Sequence, residues 1–130
     1  MKRVRTFLGG EAIAFAIAAL FHAGVVIDGY QHREARIAES VIAGALTLGL
    51  VVSMMRPRAT RVAGLAAQGF ALLGTLVGIT TIIIGVGPQS AFDVALHAGF
   101  VTLLVAGLVI VARRSPSNSP NLGRPRGVMS

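Results

Sequence analysis

The sequence contains no cysteine and no tryptophan, and only one tyrosine. Without cysteine there is no disulfide framework, no thiolate metal site and no thiol nucleophile. Without tryptophan, the aromatic belt that usually marks a membrane–water boundary is weak. Charge is scarce too: 13% of the residues are charged, against 54% hydrophobic. Soluble domains carry charge on about a quarter of their residues, so a chain this poor in charge needs lipid over most of its surface. Nucleotide signatures are also missing, with neither a G-x-x-x-x-G-K-[ST] loop nor a G-x-G-x-x-G strand–helix junction.

What is present is apolar and comes in four runs. They extend from about Thr6 to Ile27, Ile37 to Met55, Val62 to Val86 and Ala91 to Ala112. Each is close to the ~20 residues that cross a hydrocarbon core of about 30 Å. The breaks between them are a polar Asp28–Glu34 segment, the basic turn Arg56-Pro57-Arg58, and the uncharged turn Gly85–Ser90. The run following the basic start is longer than a secretory signal core, so it reads as a membrane helix. The sequence therefore predicts an all-α integral membrane four-helix bundle over residues 1–114. Residues 115–130, rich in serine and proline, read as a flexible cytoplasmic tail.

The formal net charge of +7 does not point to nucleic acid, because the basic residues flank the apolar runs. Lys2, Arg3, Arg5, Arg56, Arg58, Arg61, Arg113, Arg114, Arg124 and Arg126 fall on one side, and only Arg33 and Arg36 on the other. Basic residues favour the cytoplasmic face. This bias predicts an up-down-up-down topology in the cell membrane, with both termini cytoplasmic. The expected partners are the lipid bilayer and either other membrane subunits or further copies of the chain. On the third helix, Gly74 and Gly78 form a G-x-x-x-G pair of the kind that lets helix backbones approach.

All three histidines and four of the five carboxylates lie toward the expected outer side. His22 lies near the outer end of the first run, Glu39 near the outer start of the second, and Asp93 and His97 near the outer start of the fourth at i, i+4 spacing. Ionisable residues within membrane helices usually face the bundle interior or a cavity. His22, Glu39 and His97 are therefore expected to converge, with Asp93 orienting His97 and His32 as a lid. Imidazole and carboxylate without cysteine suit a transition metal, and two histidines on different helices suit haem b. A quinone pocket would use the same groups. Glu39 and Asp93 also have a structural reason for their positions, because a carboxylate in a first helical turn favourably meets the dipole. A second node, Glu11 and Gln68, lies at similar depth in the inner half of the first and third runs. With the outer cluster it suggests a proton path, and hence a proton-coupled transporter or channel as the alternative to a redox or metal-handling subunit. A structural subunit without chemistry is the third option.

Overall fold

Each apolar run becomes one helix, but the ends move. The computed structural model describes residues 1–113, so the expected tail lies outside the described residues. The helices are α1 (Lys2–His22), α2 (Arg33–Met55), α3 (Thr60–Ile83) and α4 (Ala91–Ala112), with a 3₁₀ turn at Pro57–Ala59 between α2 and α3. All four are long and apolar enough to cross a membrane.

The largest departure is at the end of α1, which stops at His22 rather than Ile27. Gly24 adopts φ +74°, a left-handed conformation that ends the helix. The chain then folds back: Ala23 and Gln31 form an isolated antiparallel bridge, and the His32 N–H donates to the His22 carbonyl at 2.9 Å. Val25, Val26 and Ile27 extend the apolar run in sequence, yet they lie exposed in this loop. α2 begins earlier than its apolar run because its first turn is polar: Arg33, Glu34 and Arg36 are helical but hydrophilic. α3 ends at Ile83, two residues before Gly85 at φ +78°. Among the described residues, only α4 has a side-chain N-cap. Ser90 Oγ accepts from the Asp93 N–H, and the Ser90 N–H donates to the Asp93 carboxylate, a capping box.

Polarity is distributed as a lipid solvent demands. Leu73, Val77, Val62 and Met55 face outward, whereas Glu11, His22, Glu39, Gln68, Asp93 and His97 are buried. The hydroxyls of Thr47, Thr75 and Thr80 each donate to the carbonyl four residues earlier, which satisfies them within their own helices.

Close approach sets the packing. A Cβ on Gly49 of α2 would lie 2.6 Å from the Cβ of Ala67 on α3. One on Gly64 of α3 would meet Val4 of α1 and Val111 of α4. Gly74 lies against the Ile42 side chain of α2, and Gly78 against the His97 ring of α4, so both glycines of the G-x-x-x-G pair face other helices of the bundle. These contacts define two ends. At the arginine end, Arg5 donates to the Ser53 carbonyl. At the histidine end, His22, Glu39 and Asp93 meet.

Candidate functional site

Three helices deliver one side chain each to the histidine end. His22 closes α1, Glu39 lies two turns into α2, and Asp93 lies in the first turn of α4. The His22 ring is held between the two carboxylates. Its Nδ1 is 2.7 Å from Glu39 Oε2, and its Nε2 is 3.1 Å from Asp93 Oδ1. His22 is 1% exposed, Asp93 0% and Glu39 5%. Each nitrogen–oxygen contact requires a proton between its atoms, because two lone pairs would repel. Two shared protons among two carboxyl groups and one imidazole leave the triad with one negative charge, wherever each proton sits.

The triad continues toward the surface. Asp93 Oδ2 accepts the Ser90 hydroxyl at 2.5 Å, and the Ser90 Oγ is 2.8 Å from the Tyr30 hydroxyl. With the Ser90 hydrogen committed to Asp93, the Tyr30 hydroxyl is the donor in that second contact. Tyr30 lies in the α1–α2 loop, where its ring stacks on His22 with centroids 5.6 Å apart. Burial, followed by the nearby Asp93 carboxylate, pushes the Tyr30 phenol above its ordinary pKa, which keeps it a donor. Tyr30, Ser90 and Asp93 border a cleft of about 320 Å³, also lined by His22 and His32.

The other end of the chain of bonds reaches a larger cavity of about 440 Å³ between α2 and α3. Glu39 and His97 are in its wall, and Phe15 and Phe100 are also among its lining residues, stacked with centroids 4.1 Å apart. While Oε2 of Glu39 engages His22, its Oε1 is buried with no protein partner. Tyr30, Ser90, Asp93, His22 and Glu39 thus form one hydrogen-bonded series from the cleft to the cavity.

His97 is arranged differently from the expectation. Its Nδ1 lies 2.7 Å from the Asp93 main-chain carbonyl, while the Asp93 carboxylate goes to His22 and Ser90. Asp93 therefore supports His97 through its backbone, because at i, i+4 the ring reaches the carbonyl of the preceding turn. His97 lines the cavity, whereas His22 lines the cleft. His32 borders both, with Nδ1 3.9 Å from Glu34, too long for a hydrogen bond. Among the described residues, no group of three or more His, Cys, Asp or Glu is disposed to hold a metal ion.

The second node is also assembled. Glu11 and Gln68 are both fully buried, and Gln68 Nε2 is 2.9 Å from each Glu11 carboxyl oxygen. On α1, Phe15 falls between Glu11 and His22, so the Phe15–Phe100 stack lies between the levels of the two nodes. The sequence reasoning missed Tyr30, Phe15 and Phe100. The single tyrosine, beside a polar loop, was the available signal for the first. The phenylalanines gave none, since phenylalanine is ordinary in an apolar helix.

Comparison with protein-family models, with curated proteins and with solved structures finds no match for this chain.

Proposed function

We propose that the chain is a small multi-pass protein of the cell membrane that binds a lipophilic small molecule in the α2–α3 cavity and exchanges protons with it through His22. It acts as a proton-coupled transporter or channel. In this reading the helices run up-down-up-down, both termini are cytoplasmic, and the histidine end faces outward, as the arginine distribution favours. The observation that carries it is the position of Glu39, a lining residue of the cavity with one oxygen on His22 and the other buried without a protein partner. That free oxygen takes a proton or a ligand hydrogen, one at a time. The bonded series through His22, Asp93, Ser90 and Tyr30 supplies a route for protons toward the cleft. Glu11 and Gln68 form a second station below the Phe15–Phe100 stack.

A metal or haem b at His22 is less well supported, because both ring nitrogens are engaged by carboxylates and neither offers a lone pair. A redox site for a quinone-type ring is the second reading, favoured by the flat aromatic pair beside His97. Association with other subunits or with further copies belongs to either reading. Gly10, Gly44 and Gly99 are exposed with open space around them, where another helix can approach.

The test is proton movement into proteoliposomes with a trapped pH dye, under an imposed gradient. It is scored without solute and with cationic, neutral and quinone-type lipophilic solutes. Flux above that of protein-free vesicles, lost in His22→Ala and Glu39→Gln, supports coupling. Flux equal to protein-free vesicles with every solute refutes it, leaving the triad as a tie between helices. Quinone recovered by solvent extraction of the purified protein would favour the second reading.

A further inference from the structure

The cavity wall constrains what can occupy it. Six residues with polar side chains line it; Glu39, His97, Thr75 and Thr81 present lone pairs, and His32 and Glu34 complete the set. Glu39 Oε1 belongs to a carboxyl whose other oxygen is engaged by His22. His97 Nδ1 donates to a carbonyl, so in the neutral tautomer Nε2 is the acceptor, beside Gly78. The Thr75 hydroxyl donates to the Ala71 carbonyl at 2.8 Å, and the Thr81 hydroxyl to the Gly78 carbonyl at 2.7 Å. Their hydrogens are spent within α3, and only oxygen lone pairs remain.

The charge is equally one-sided. With Glu39 Oε1 unprotonated the triad carries one negative charge, Glu34 adds a carboxylate, and no lysine or arginine is among the described lining residues. Apart from His32, the rest of the wall is glycine, alanine, proline, isoleucine, valine and the two stacked phenylalanines. A quinone, which offers carbonyl acceptors, meets only the His32 ring N–H as a side-chain donor here. A neutral alcohol supplies a hydrogen but leaves the charge uncompensated in a medium of low dielectric. An ammonium on an apolar body answers both requirements.

We infer that the cavity binds a lipophilic primary or secondary ammonium, whose N–H groups donate to Glu39 Oε1 and His97 Nε2 while its apolar body lies along Phe15 and Phe100. This rests on the cavity named in the proposed function and specifies its ligand class. Both a free amine and an aminophospholipid head group carry that chemistry. Ligand and proton compete for Glu39 Oε1, so binding weakens in acid. His22 of α1, Asp93 and His97 of α4, and His32 and Glu34 beside the start of α2 are the other titratable groups around that oxygen.

The experiment uses the full chain in phosphatidylcholine nanodiscs, with naphthylethylamine as a fluorescent probe. The chain has no tryptophan and one tyrosine, so it contributes little background. Comparison probes are naphthylethanol, which lacks the charge, and the N,N,N-trimethyl analogue, which lacks the N–H. Loss of a charge-assisted hydrogen bond should weaken binding by about tenfold or more. The amine is expected to bind at least that much more tightly than either analogue, and Glu39→Gln should remove the difference. Ala38→Phe is the second variant: Ala38 is exposed and lines the cavity, so a large side chain there fills it without entering the core. It should abolish binding of all three probes. Weaker amine binding when phosphatidylethanolamine replaces part of the lipid identifies a lipid head group as the competitor. Unchanged binding identifies a free amine, and the ligand class stands in both cases. Equal affinity for amine and alcohol, or Glu39→Gln binding as wild type does, overturns the ammonium assignment and leaves the proton reading to the flux measurement. Amine binding unaffected by Ala38→Phe overturns the site itself.

Discussion

Replacing Gly107 by alanine adds one methyl group at the most crowded point of the bundle. The new Cβ would overlap both Gln68 Nε2 and Glu11 Oε1. Those atoms form the buried contact between α1 and α3, each at 0% exposure, and neither side chain has another hydrogen-bond partner among the described residues. The pair must part or α4 must withdraw. Overpacking costs about 1–3 kcal/mol, and a buried polar group left unpaired costs about 1–3 kcal/mol more. Alanine returns up to about 1 kcal/mol in helix propensity. The net expectation is a loss of about 1–6 kcal/mol, combining those ranges. Unfolding by dodecyl sulfate titration in mixed micelles, followed by circular dichroism, reads it directly. Gly44→Ala is the control, since nothing lies within 4 Å of a Cβ there; it should be neutral or up to about 1 kcal/mol stabilising. Adding Glu11→Ala to Gly107→Ala removes one clashing oxygen and the buried carboxyl together, so the two effects should be non-additive by about 0.5–3 kcal/mol. A Gly107→Ala protein as stable as Gly44→Ala would refute the buried pairing.

Three further outcomes follow from the same packing. His22→Ala leaves two buried carboxylates facing an empty position and should destabilise by about 3–5 kcal/mol, whereas His32→Ala, at the loop, should stay within about 0.5 kcal/mol; equal effects in the same titration would contradict the triad. Gly49→Ala drives a methyl group into Ala67 and should lower stability by about 1–3 kcal/mol, and an unchanged midpoint would mean α2 and α3 are not in close contact there. Reporter fusions at Arg58 and at the C-terminus should both read cytoplasmic, and an external signal from either one overturns the orientation.

Much of the architecture was legible because lipid leaves few alternatives. Four apolar runs of membrane length have to be helices, and Ala91–Ala112 was placed to the residue because Ser90 and Asp93 carry their own start signal. The first helix was misjudged at its end for a physical reason. Val25-Val26-Ile27 is as apolar as the helix before it, and only the backbone angle of Gly24 and the pairing of Ala23 with Gln31 reveal the turn. Depth along the helices was readable from 1.5 Å per residue, which brought Glu11 to Gln68 and His22 to Glu39. Which atom meets which was not readable. Asp93 has two carboxyl oxygens and a carbonyl, and its four-residue spacing to His97 pointed to the carboxylate as that ring's partner. The cap at Ser90 turns the carboxylate away, toward His22, and the carbonyl serves His97 instead. Glu39 was expected at the outer site, with the helix dipole as its structural alternative, but that one of its oxygens is left without a partner was not readable.

His22 sits between two carboxyl groups that share its protons. Solid-state nitrogen-15 spectroscopy of histidine-labelled protein in bilayers tests it most directly, with His22 assigned by its loss in His22→Gln. Both ring nitrogens are expected to be hydrogen-bonded through protons to oxygen, with cross-peaks from Nδ1 to the Glu39 carboxyl carbon and from Nε2 to that of Asp93. An unprotonated ring nitrogen with no carboxyl neighbour, at the pH where the protein binds its ligand, would contradict it.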